Sequence, residues 1–157
     1  MRISIGSDHR GTELKSALVA LVESLGHKAF DEGPCGGESV DYPDIAAVTA
    51  RRVSRGECDR GILICGTGIG MSITANKFLG VRAAVANEEA TARLSRQHND
   101  ANILCLSGDL PLTGADQKIR QIESLVKTWL ETPFEGGRHG RRVEKISEYE
   151  KAARECK

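Results

Sequence analysis

Short apolar runs alternate with segments of helical periodicity along the whole of this 157-residue chain. The runs that predict β-strands span residues 2–7, 27–31, 60–65, 81–86 and 102–106. The segments that predict helices span residues 14–25, 44–55, 71–77, 88–97 and 115–130. Strands that alternate with helices are typical of a parallel sheet covered on both faces. The sequence therefore predicts an α/β fold, a Rossmann-like three-layer sandwich with a five-stranded parallel sheet.

The last part of the chain differs from the rest in character. Residues 135–142 are rich in glycine and charge, and Val143 and Ile146 then continue a helix with a narrow apolar stripe. Such a stripe covers too little surface for a core helix. We therefore expect one domain, in which residues 1–134 form the Rossmann-like body. Residues 135–157 are predicted to form a basic loop and a C-terminal helical arm that packs on a partner subunit.

Charge and cysteine content narrow the class of protein. Lys plus Arg and Asp plus Glu each number 22, so the neutral chain gives no reason to expect binding to nucleic acid or to an anionic membrane. The N-terminus lacks the pattern of a secretory signal, and no apolar run reaches the ~18 residues that a membrane span needs. Five cysteines without a C-x-x-C pair favour a reducing compartment over a disulfide framework or a zinc ribbon. We expect a cytoplasmic protein.

Polar groups follow three of the predicted strands at the point where each strand ends. Asp8 and His9 follow the first strand, Cys65 ends the third, and residues 107–109 follow the fifth. Ligands of open parallel sheets bind beyond the carboxyl ends of the strands. We therefore expect Asp8, His9 and Cys65 to lie together at one edge of the sheet.

A glycine-rich loop, Gly66-Thr67-Gly68-Ile69-Gly70, opens the helix that follows the third strand. Glycines let backbone N–H groups approach a ligand closely, and a helix N-terminus favours negative charge. The loop continues as Gly-Met-Ser where a P-loop requires Gly-Lys-Ser/Thr. Its third glycine comes one residue too early for a dinucleotide fingerprint. The loop therefore predicts a general anion cradle.

Several side chains near these strand ends have two possible interpretations. A thiol at the end of a buried strand is usually a small apolar core group, and Cys105 fits that description. Cys65 differs, because the N–H groups of the glycine loop favour a thiolate that acts as a nucleophile or a base. His98, in a polar cluster, and His9 each suit a surface role or a functional one equally well. The basic side chains of residues 138–142 suit either a solvated helix start or a bound anion such as phosphate.

Six strings along the chain resemble the type B ribose-5-phosphate isomerases, part of a wider family that includes galactose-6-phosphate isomerase subunits. In chain order they are Gly6-Ser7-Asp8-His9-Arg10-Gly11, Asp41-Tyr42-Pro43, Ile64-Cys65-Gly66-Thr67-Gly68-Ile69-Gly70, Ala75-Asn76-Lys77, Ser95-Arg96-Gln97-His98-Asn99-Asp100-Ala101-Asn102 and Phe134-Glu135-Gly136-Gly137-Arg138-His139. The resemblance implies interconversion of ribose 5-phosphate and ribulose 5-phosphate through a cis-enediolate, without a metal or another cofactor. It also implies a homodimer with shared active sites, which can pair into a tetramer.

The resemblance further implies roles for individual residues. The implied catalytic residues are Cys65 as the base that removes a carbon-bound proton, His98 as the acid–base group that opens the furanose ring from the partner subunit, and Thr67 beside the enediolate. The implied substrate-binding residues are Asp8, His9, Tyr42, Gly66, Gly68, Ile69, Gly70, Asn99, Arg138 and Arg142. Among these, His9, Arg138 and Arg142 are implied to hold the phosphate.

Three features depart from the pattern of the family. Some relatives carry a glutamate base just after the glycine loop, where this chain has Met71, so Cys65 has no visible rival as the base. Many relatives carry a phosphate-binding arginine shortly after the fifth strand, where this chain has Asp109, and a carboxylate repels phosphate. The segment 111–117 also looks longer than usual. These changes bear on the identity of the sugar more than on the chemistry.

Three alternatives remain beside a ribose-5-phosphate isomerase. The nearest is an isomerase of a four- or six-carbon sugar phosphate. A non-catalytic sugar-phosphate-binding protein is expected to have lost Cys65 or His98, and both are present. A redox protein built on Cys65 would need a resolving cysteine at C-x-x-C spacing, which the sequence lacks.

Overall fold

The computed structural model describes residues 1–34, 39–109 and 114–155. These residues form five strands and six helices in the predicted alternating order. The strands are β1 (Arg2–Ser7), β2 (Lys28–Asp31), β3 (Arg60–Cys65), β4 (Ala83–Val85) and β5 (Ile103–Ser107). The helices are α1 (Thr12–Ser24), α2 (Tyr42–Ser54), α3 (Ile69–Ala75), α4 (Glu89–Asn99), α5 (Ala115–Glu131) and α6 (Gly137–Glu155).

The five strands form one parallel sheet in the order β2-β1-β3-β5-β4. The central strand β3 lies between β1 and β5, and its residues Ile62, Leu63 and Ile64 are fully buried. A continuous apolar run places apolar side chains on both faces of a strand, so helices must cover both sides of the sheet. The predicted Rossmann-like three-layer architecture is confirmed.

Alternate side chains of β3 enter two separate apolar cores. Ile62 and Ile64 pack on one face with Leu18 of α1 and Trp129 of α5. Leu63 points to the opposite face, which α2 and α3 cover. This alternation follows from the two-residue period of a strand. The two cores hold β1 and β3 side by side, and the candidate site is built on the ends of these strands.

Several element boundaries differ by one or two residues from the sequence prediction, and two of these differences have a clear structural reason. The strand predicted for residues 81–86 is reduced to Ala83–Val85, because the backbone N–H of Arg82 bonds to a side-chain oxygen over 2.8 Å instead of continuing the ladder. Helix α2 begins at Tyr42, two residues earlier than predicted. Pro43 explains this start, since a proline in the first turn loses no helical hydrogen bond.

Three of the five cysteines lie in the described part of the chain. Cys58, Cys65 and Cys105 are free and buried, whereas Cys35 and Cys156 lie outside the described residues. Among the described helices, none combines the length with the apolar character that crossing a membrane requires. Part of the segment predicted to be unusually long also lies outside the described residues.

Helix α6 begins at Gly137, inside the segment predicted to be a basic loop, and it contacts its own chain. Within Gly137–Glu155, His139 is the buried residue of the helix, while Ile146 and Tyr149 are 50% and 76% exposed. The carboxylate of Glu150 accepts hydrogen bonds from the backbone N–H of Gly80, which ties the arm to the loop before β4. The exposed apolar side chains leave room for a partner, so packing of the arm on a second subunit stays a prediction.

Candidate active site

The candidate site lies at the carboxyl edge of the sheet, where the chain connections diverge. From β1 the chain leads through α1 to β2 on one side, and from β3 it leads toward β5 and β4 on the other. Such a switch point opens a crevice between the two strands. Asp8 and Cys65 stand at the ends of these strands, and the N–H of Asp8 bonds to the carbonyl of Ile64 over 3.0 Å.

A cleft of about 450 Å³ opens at this point. Its lining consists of Asp8, Arg10, Tyr42, Cys65, Gly66, Thr67, Ile69, Gly70 and Ile73. The structure therefore brings together most of the residues that the sequence placed around Cys65. It adds Arg10 and Ile73, for which no role was predicted. His9 is exposed on the turn after β1, next to the lining residue Asp8.

Cys65 faces the glycine loop across a hydrogen bond. The backbone N–H of Gly68 donates to the Cys65 sulfur over 3.1 Å, and Cys65 is buried to 5% exposure. Gly68 reaches this position with φ of 78°, a left-handed conformation that favours glycine. Burial raises the pKa of the nearby Cys105 thiol, which keeps that group neutral and agrees with a core role. Of these two thiols, Cys65 is the one that lines the cleft and accepts a hydrogen bond from the backbone.

The loop after β5 fixes the start of the glycine loop. The Ser107 hydroxyl donates to the carbonyl of Gly66 over 2.7 Å, and the N–H of Gly108 donates to the carbonyl of Cys65 over 2.7 Å. In a trans peptide the carbonyl and the following N–H point in opposite directions. Both carbonyls point toward β5, so the N–H groups of Gly66 and Thr67 point away from it. Donors directed in this way suit an oxyanion in the cleft.

Tyr42 and Asp8 also form part of the cleft wall. A Cβ added at Gly70 would lie 2.5 Å from Cε2 of Tyr42, so the tyrosine ring lies against the backbone of Gly70. Asp8 is 6% exposed, and one of its carboxylate oxygens accepts the N–H of Arg10 over 2.9 Å. The phenol and the carboxylate place hydrogen-bonding groups within reach of a polar ligand.

The remaining predicted residues form a second cluster, at the end of α4 and the start of α6. The rings of His98 and His139 stack with centroids 4.1 Å apart and planes at 4°. Nε of Arg138 donates to Nε2 of His139 over 3.3 Å, while Asn99 and Arg142 are exposed nearby in sequence. The lining of the Cys65 cleft includes none of these residues in the described part of the chain. The sequence placed His139 among the basic side chains that suit a solvated helix start or a bound anion, and it did not predict the stack on His98.

Burial lowers the pKa of His139, and the neighbouring His98, Arg138 and Arg142 lower it further. Glu135 opposes this effect with Oε2 3.7 Å from His139 Nε2. The ligand atoms of His98, Glu135 and His139 lie within 4.8 Å of one another, a spacing that invites comparison with a metal site. An imidazole lone pair lies in the plane of its ring, so parallel stacked rings do not direct both lone pairs at one ion. In this arrangement the three residues are better described as a docking contact between α6 and α4.

Asp109 is paired at the mouth of the cleft. Its carboxylate Oδ2 lies 2.5 Å from Nη2 of Arg10. The repulsion of phosphate that Asp109 predicts from the sequence is therefore offset by a neighbouring cation. One feature of the sequence could have indicated this pair: Arg10 and Asp109 each follow a strand, and parallel strands end at the same edge of the sheet.

The fold and this cleft define a Rossmann-like α/β protein with a thiol site at the switch point of its sheet. Residues 3–146 match the model of the family described as Ribose/Galactose Isomerase, and the chain belongs to this family. The match confirms the predicted family. It also confirms the prediction that the protein is an aldose–ketose isomerase.

Similar proteins support the assignment along the full length of the chain. Ribose-5-phosphate isomerase B of Escherichia coli is 44% identical over 149 residues, which cover 95% of this chain and 96% of that protein. A ribose-5-P isomerase B of Listeria innocua is 41% identical over 154 residues, which cover 98% and 100%.

Solved structures give the same result. The ribose-5-phosphate isomerase B of Clostridium thermocellum has a TM-score of 0.90 and 49% identity, with 98% of this chain and 99% of that chain covered. The ribose-5-phosphate isomerase B of Mycoplasma genitalium with bound ribulose-5-phosphate has a TM-score of 0.89 and 42% identity, with 96% of each chain covered.

Proposed function

We propose that this protein interconverts ribose 5-phosphate and ribulose 5-phosphate through a cis-enediolate, with Cys65 as the base. The observation that carries the proposal is the Cys65 sulfur, which faces the cleft and accepts the N–H of Gly68 over 3.1 Å. The names of the similar proteins support the choice of substrate. An isomerase of a four- or six-carbon sugar phosphate is the alternative within the same family.

The proposed reaction begins on the open-chain aldose. The thiolate of Cys65 removes the proton from C2, and the electron pair of that C–H bond forms the C1–C2 double bond while the carbonyl oxygen becomes negatively charged. The N–H groups of the glycine loop and the hydroxyl of Thr67 stabilise this charge. The Cys65 thiol then returns the proton to C1, the O2 proton moves to O1, and the ketose results. Thiolate and thiol alternate, so Cys65 ends the cycle unchanged.

Few other groups in the cleft compete with Cys65 for the role of base. Met71, which takes the place of a glutamate in some relatives, is fully buried and has no proton-accepting group. Asp8 and Tyr42 line the cleft, and we assign them contacts with the sugar hydroxyls. We assign the amides of Gly66, Ile69 and Gly70, which line the cleft, to the proposed cradle, together with Gly68, whose N–H meets the Cys65 sulfur.

The cleft of one chain lacks several groups that the reaction needs. Ring opening requires an acid–base group, and a phosphate is bound best by several cations, of which the described lining holds Arg10. His98, Asn99, Arg138 and Arg142 lie in the separate α4–α6 cluster. We therefore propose a homodimer in which this cluster of the partner subunit faces the cleft, with His9 beside the phosphate; two such dimers can pair into a tetramer.

The apolar rim of the cleft supports this assembly. Ile69 and Ile73 are 55% and 57% exposed and line the cleft one helical turn apart on α3. Adjacent exposed apolar side chains of this kind are characteristic of interaction surfaces. The free thiols of the described cysteines support a reducing, cytoplasmic setting for the enzyme.

The test measures formation of ketose from ribose 5-phosphate in the presence of EDTA. Cys65→Ala is expected to remove turnover while ribose 5-phosphate still binds, as measured by titration calorimetry. Cys58→Ala is the matched control, because Cys58 is also buried but lies away from the cleft. Turnover that persists in Cys65→Ala would refute the assigned base. No turnover by the folded wild type on this substrate, with turnover on a four- or six-carbon sugar phosphate, would select the alternative.

A further inference from the structure

Arg10 occupies the cleft without a part in the proposed chemistry. It lies on the turn between β1 and α1, and its backbone N–H is held by the carboxylate of Asp8 over 2.9 Å. Its guanidinium reaches across the sheet edge to the loop after β5, where Nη2 meets Oδ2 of Asp109 at 2.5 Å. The side chain is 56% exposed, so one part of the guanidinium remains open to solvent and to the cleft.

The pair lies directly over the first glycine of the anion cradle. A Cβ added at Gly66 would meet Oδ2 of Asp109 at 2.9 Å and Nη1 of Arg10 at 3.2 Å. The absence of a side chain at Gly66 therefore lets the guanidinium lie beside the peptide groups that face the cleft. In the described lining of the cleft, Arg10 is the single cationic side chain.

Asp109 has the geometry of a positioning group. Its backbone N–H donates to the carbonyl of Gly66 and to the hydroxyl of Ser107, each over 3.2 Å. These bonds fix the backbone from which the carboxylate extends toward Arg10. An exposed ion pair of this kind contributes little to stability by itself. A guanidinium has five N–H donors in a planar fork, and a phosphate binds that fork with two parallel hydrogen bonds. Holding Arg10 over the loop therefore leaves donors for a second anion.

We propose that Arg10 is a substrate-binding residue that recognises the phosphate of the sugar, and that Asp109 is the residue that positions it. The inference deepens the proposed function and rests on it for the identity of the substrate. The cleft then holds one of its own phosphate ligands, in addition to any that a partner subunit contributes. In this arrangement Asp109 still repels phosphate by its charge, but it also holds the cation that binds the phosphate.

The test uses Arg10→Met, which keeps an unbranched apolar stem and removes the charged guanidinium. Binding of ribose 5-phosphate and of inorganic phosphate is measured by calorimetry in the Cys65→Ala background, so the readout does not depend on turnover. We expect the Kd for both to rise about tenfold, the effect of losing a hydrogen bond to a charged group. In the otherwise wild-type enzyme, the KM for ribose 5-phosphate rises by the same factor while kcat changes less than about twofold.

The second variant, Asp109→Asn, keeps an oxygen that accepts the hydrogen bond of Arg10 and removes the negative charge. We expect it to lower the Kd for inorganic phosphate about threefold, because a charge beside the bound anion is lost. Arg2→Met is the matched control, since Arg2 forms a comparably exposed pair with Asp59 at the opposite end of β1, with 3.1 Å between the charged atoms. This control is expected to leave both Kd values unchanged.

The outcomes separate this inference from the proposed function. An unchanged Kd in Arg10→Met, for an enzyme that turns over ribose 5-phosphate, overturns the inference and leaves the function standing. A raised Kd for inorganic phosphate in a protein without isomerase activity supports the anion site while the proposed function fails. A kcat that falls with an unchanged KM would give Arg10 a role in chemistry and overturn the binding role.

Discussion

The backbone N–H of Gly68 donates a hydrogen bond to the sulfur of Cys65 across 3.1 Å. The bond joins the end of β3 to the start of α3 and requires the left-handed backbone of Gly68, with φ of 78°. The donor holds the sulfur at the mouth of the glycine loop, where it lines the cleft. The shape of the turn into α3 and the hydrogen bond to the proposed base therefore both depend on Gly68.

Gly68→Ala is expected to impair catalysis more than stability. A Cβ at this position would lie 3.2 Å from the backbone carbonyl of Leu106, and a left-handed alanine costs about 1–2 kcal/mol. The loop must shift to relieve both effects, and the N–H then leaves the Cys65 sulfur. We expect kcat to fall at least tenfold, measured with ribose 5-phosphate at saturation, as for the loss of an oriented donor.

Gly26→Ala is the control for the conformational penalty. Gly26 has the same φ of 78°, with no neighbour within 4 Å of an added Cβ. Its substitution should lower the free energy of unfolding, measured in urea, by a similar ~1 kcal/mol while kcat stays unchanged. Equal kcat values for Gly68→Ala and the wild type would contradict a role for the Gly68–Cys65 bond.

Gly70→Ala should act through Tyr42. The added Cβ would lie 2.5 Å from Cε2 of the tyrosine ring, so the ring must move away from the cleft wall. Displacing a group that orients the substrate by ~1 Å costs up to about 100-fold, and we expect kcat/KM to fall about tenfold or more. A double-mutant cycle checks the mechanism: in a Tyr42→Ala background, Gly70→Ala should have little further effect. Additive losses would show that the glycine acts independently of the ring.

Much of the cleft could be predicted from the order of the elements. Asp8 and Cys65 follow strands whose parallel alignment brings their ends to one edge, and the glycine loop is continuous in sequence with Cys65. The position of β5 between β3 and β4 could not be predicted, because strand order depends on packing between distant segments. The contact of Arg10 with Asp109 depends on that order, since it requires the loop after β5 to lie beside the glycine loop.

Ser107 is a positioning residue. The sequence placed it among the polar groups that follow the fifth strand but predicted no role for it. Its hydroxyl donates to the carbonyl of Gly66 over 2.7 Å and is buried. Ser107→Ala leaves that carbonyl with the weaker contact from the N–H of Asp109, at 3.2 Å. The peptide between Gly66 and Thr67 then rotates more freely, and the N–H of Thr67 is directed less well at the enediolate oxygen.

For Ser107→Ala we expect kcat to fall about fivefold to tenfold with KM nearly unchanged, because the donor acts on charge that develops only in the transition state. Steady-state kinetics measures both constants, and binding of a hydroxamate analogue of the enediolate should weaken by the same factor. Ser107→Thr, which retains the hydroxyl, should restore most of kcat. An increase in KM alone would indicate a general loosening of the cleft instead.

The stack of His98 on His139 lies beyond what the sequence could indicate. His98 lies in the last turn of α4 and His139 in the first turn of α6, and their contact depends on how the C-terminal helix docks. The backbone N–H of Glu135 bonds to the carbonyl of Gln97 over 3.1 Å and sets the two segments side by side. The sequence left the basic residues around His139 open to a solvated helix start or a bound anion, and the structure shows in addition that His139 itself is a buried packing surface.

The lowered pKa of His139 predicts that the docking of α6 weakens in acid. Burial is the main cause, and the positive charges of His98, Arg138 and Arg142 add to it, against Glu135. An unfolded histidine binds a proton near pH 6.5. The folded state binds it less readily, so the stabilisation is fully present above that value and is lost as the pH falls through the lower pKa of the folded protein.

His139→Phe keeps a flat ring for the stack and removes the titration. Urea unfolding at pH 7.5 and pH 5 should show a smaller loss of stability in the variant than in the wild type, and amide exchange in α6 should show the same contrast. His27→Phe is the control, because His27 lies in the loop between α1 and β2, away from the stack, and should retain the acid sensitivity of the wild type. If His139→Phe has the same pH dependence as the wild type, the acid sensitivity arises elsewhere and the stack tolerates a charged His139.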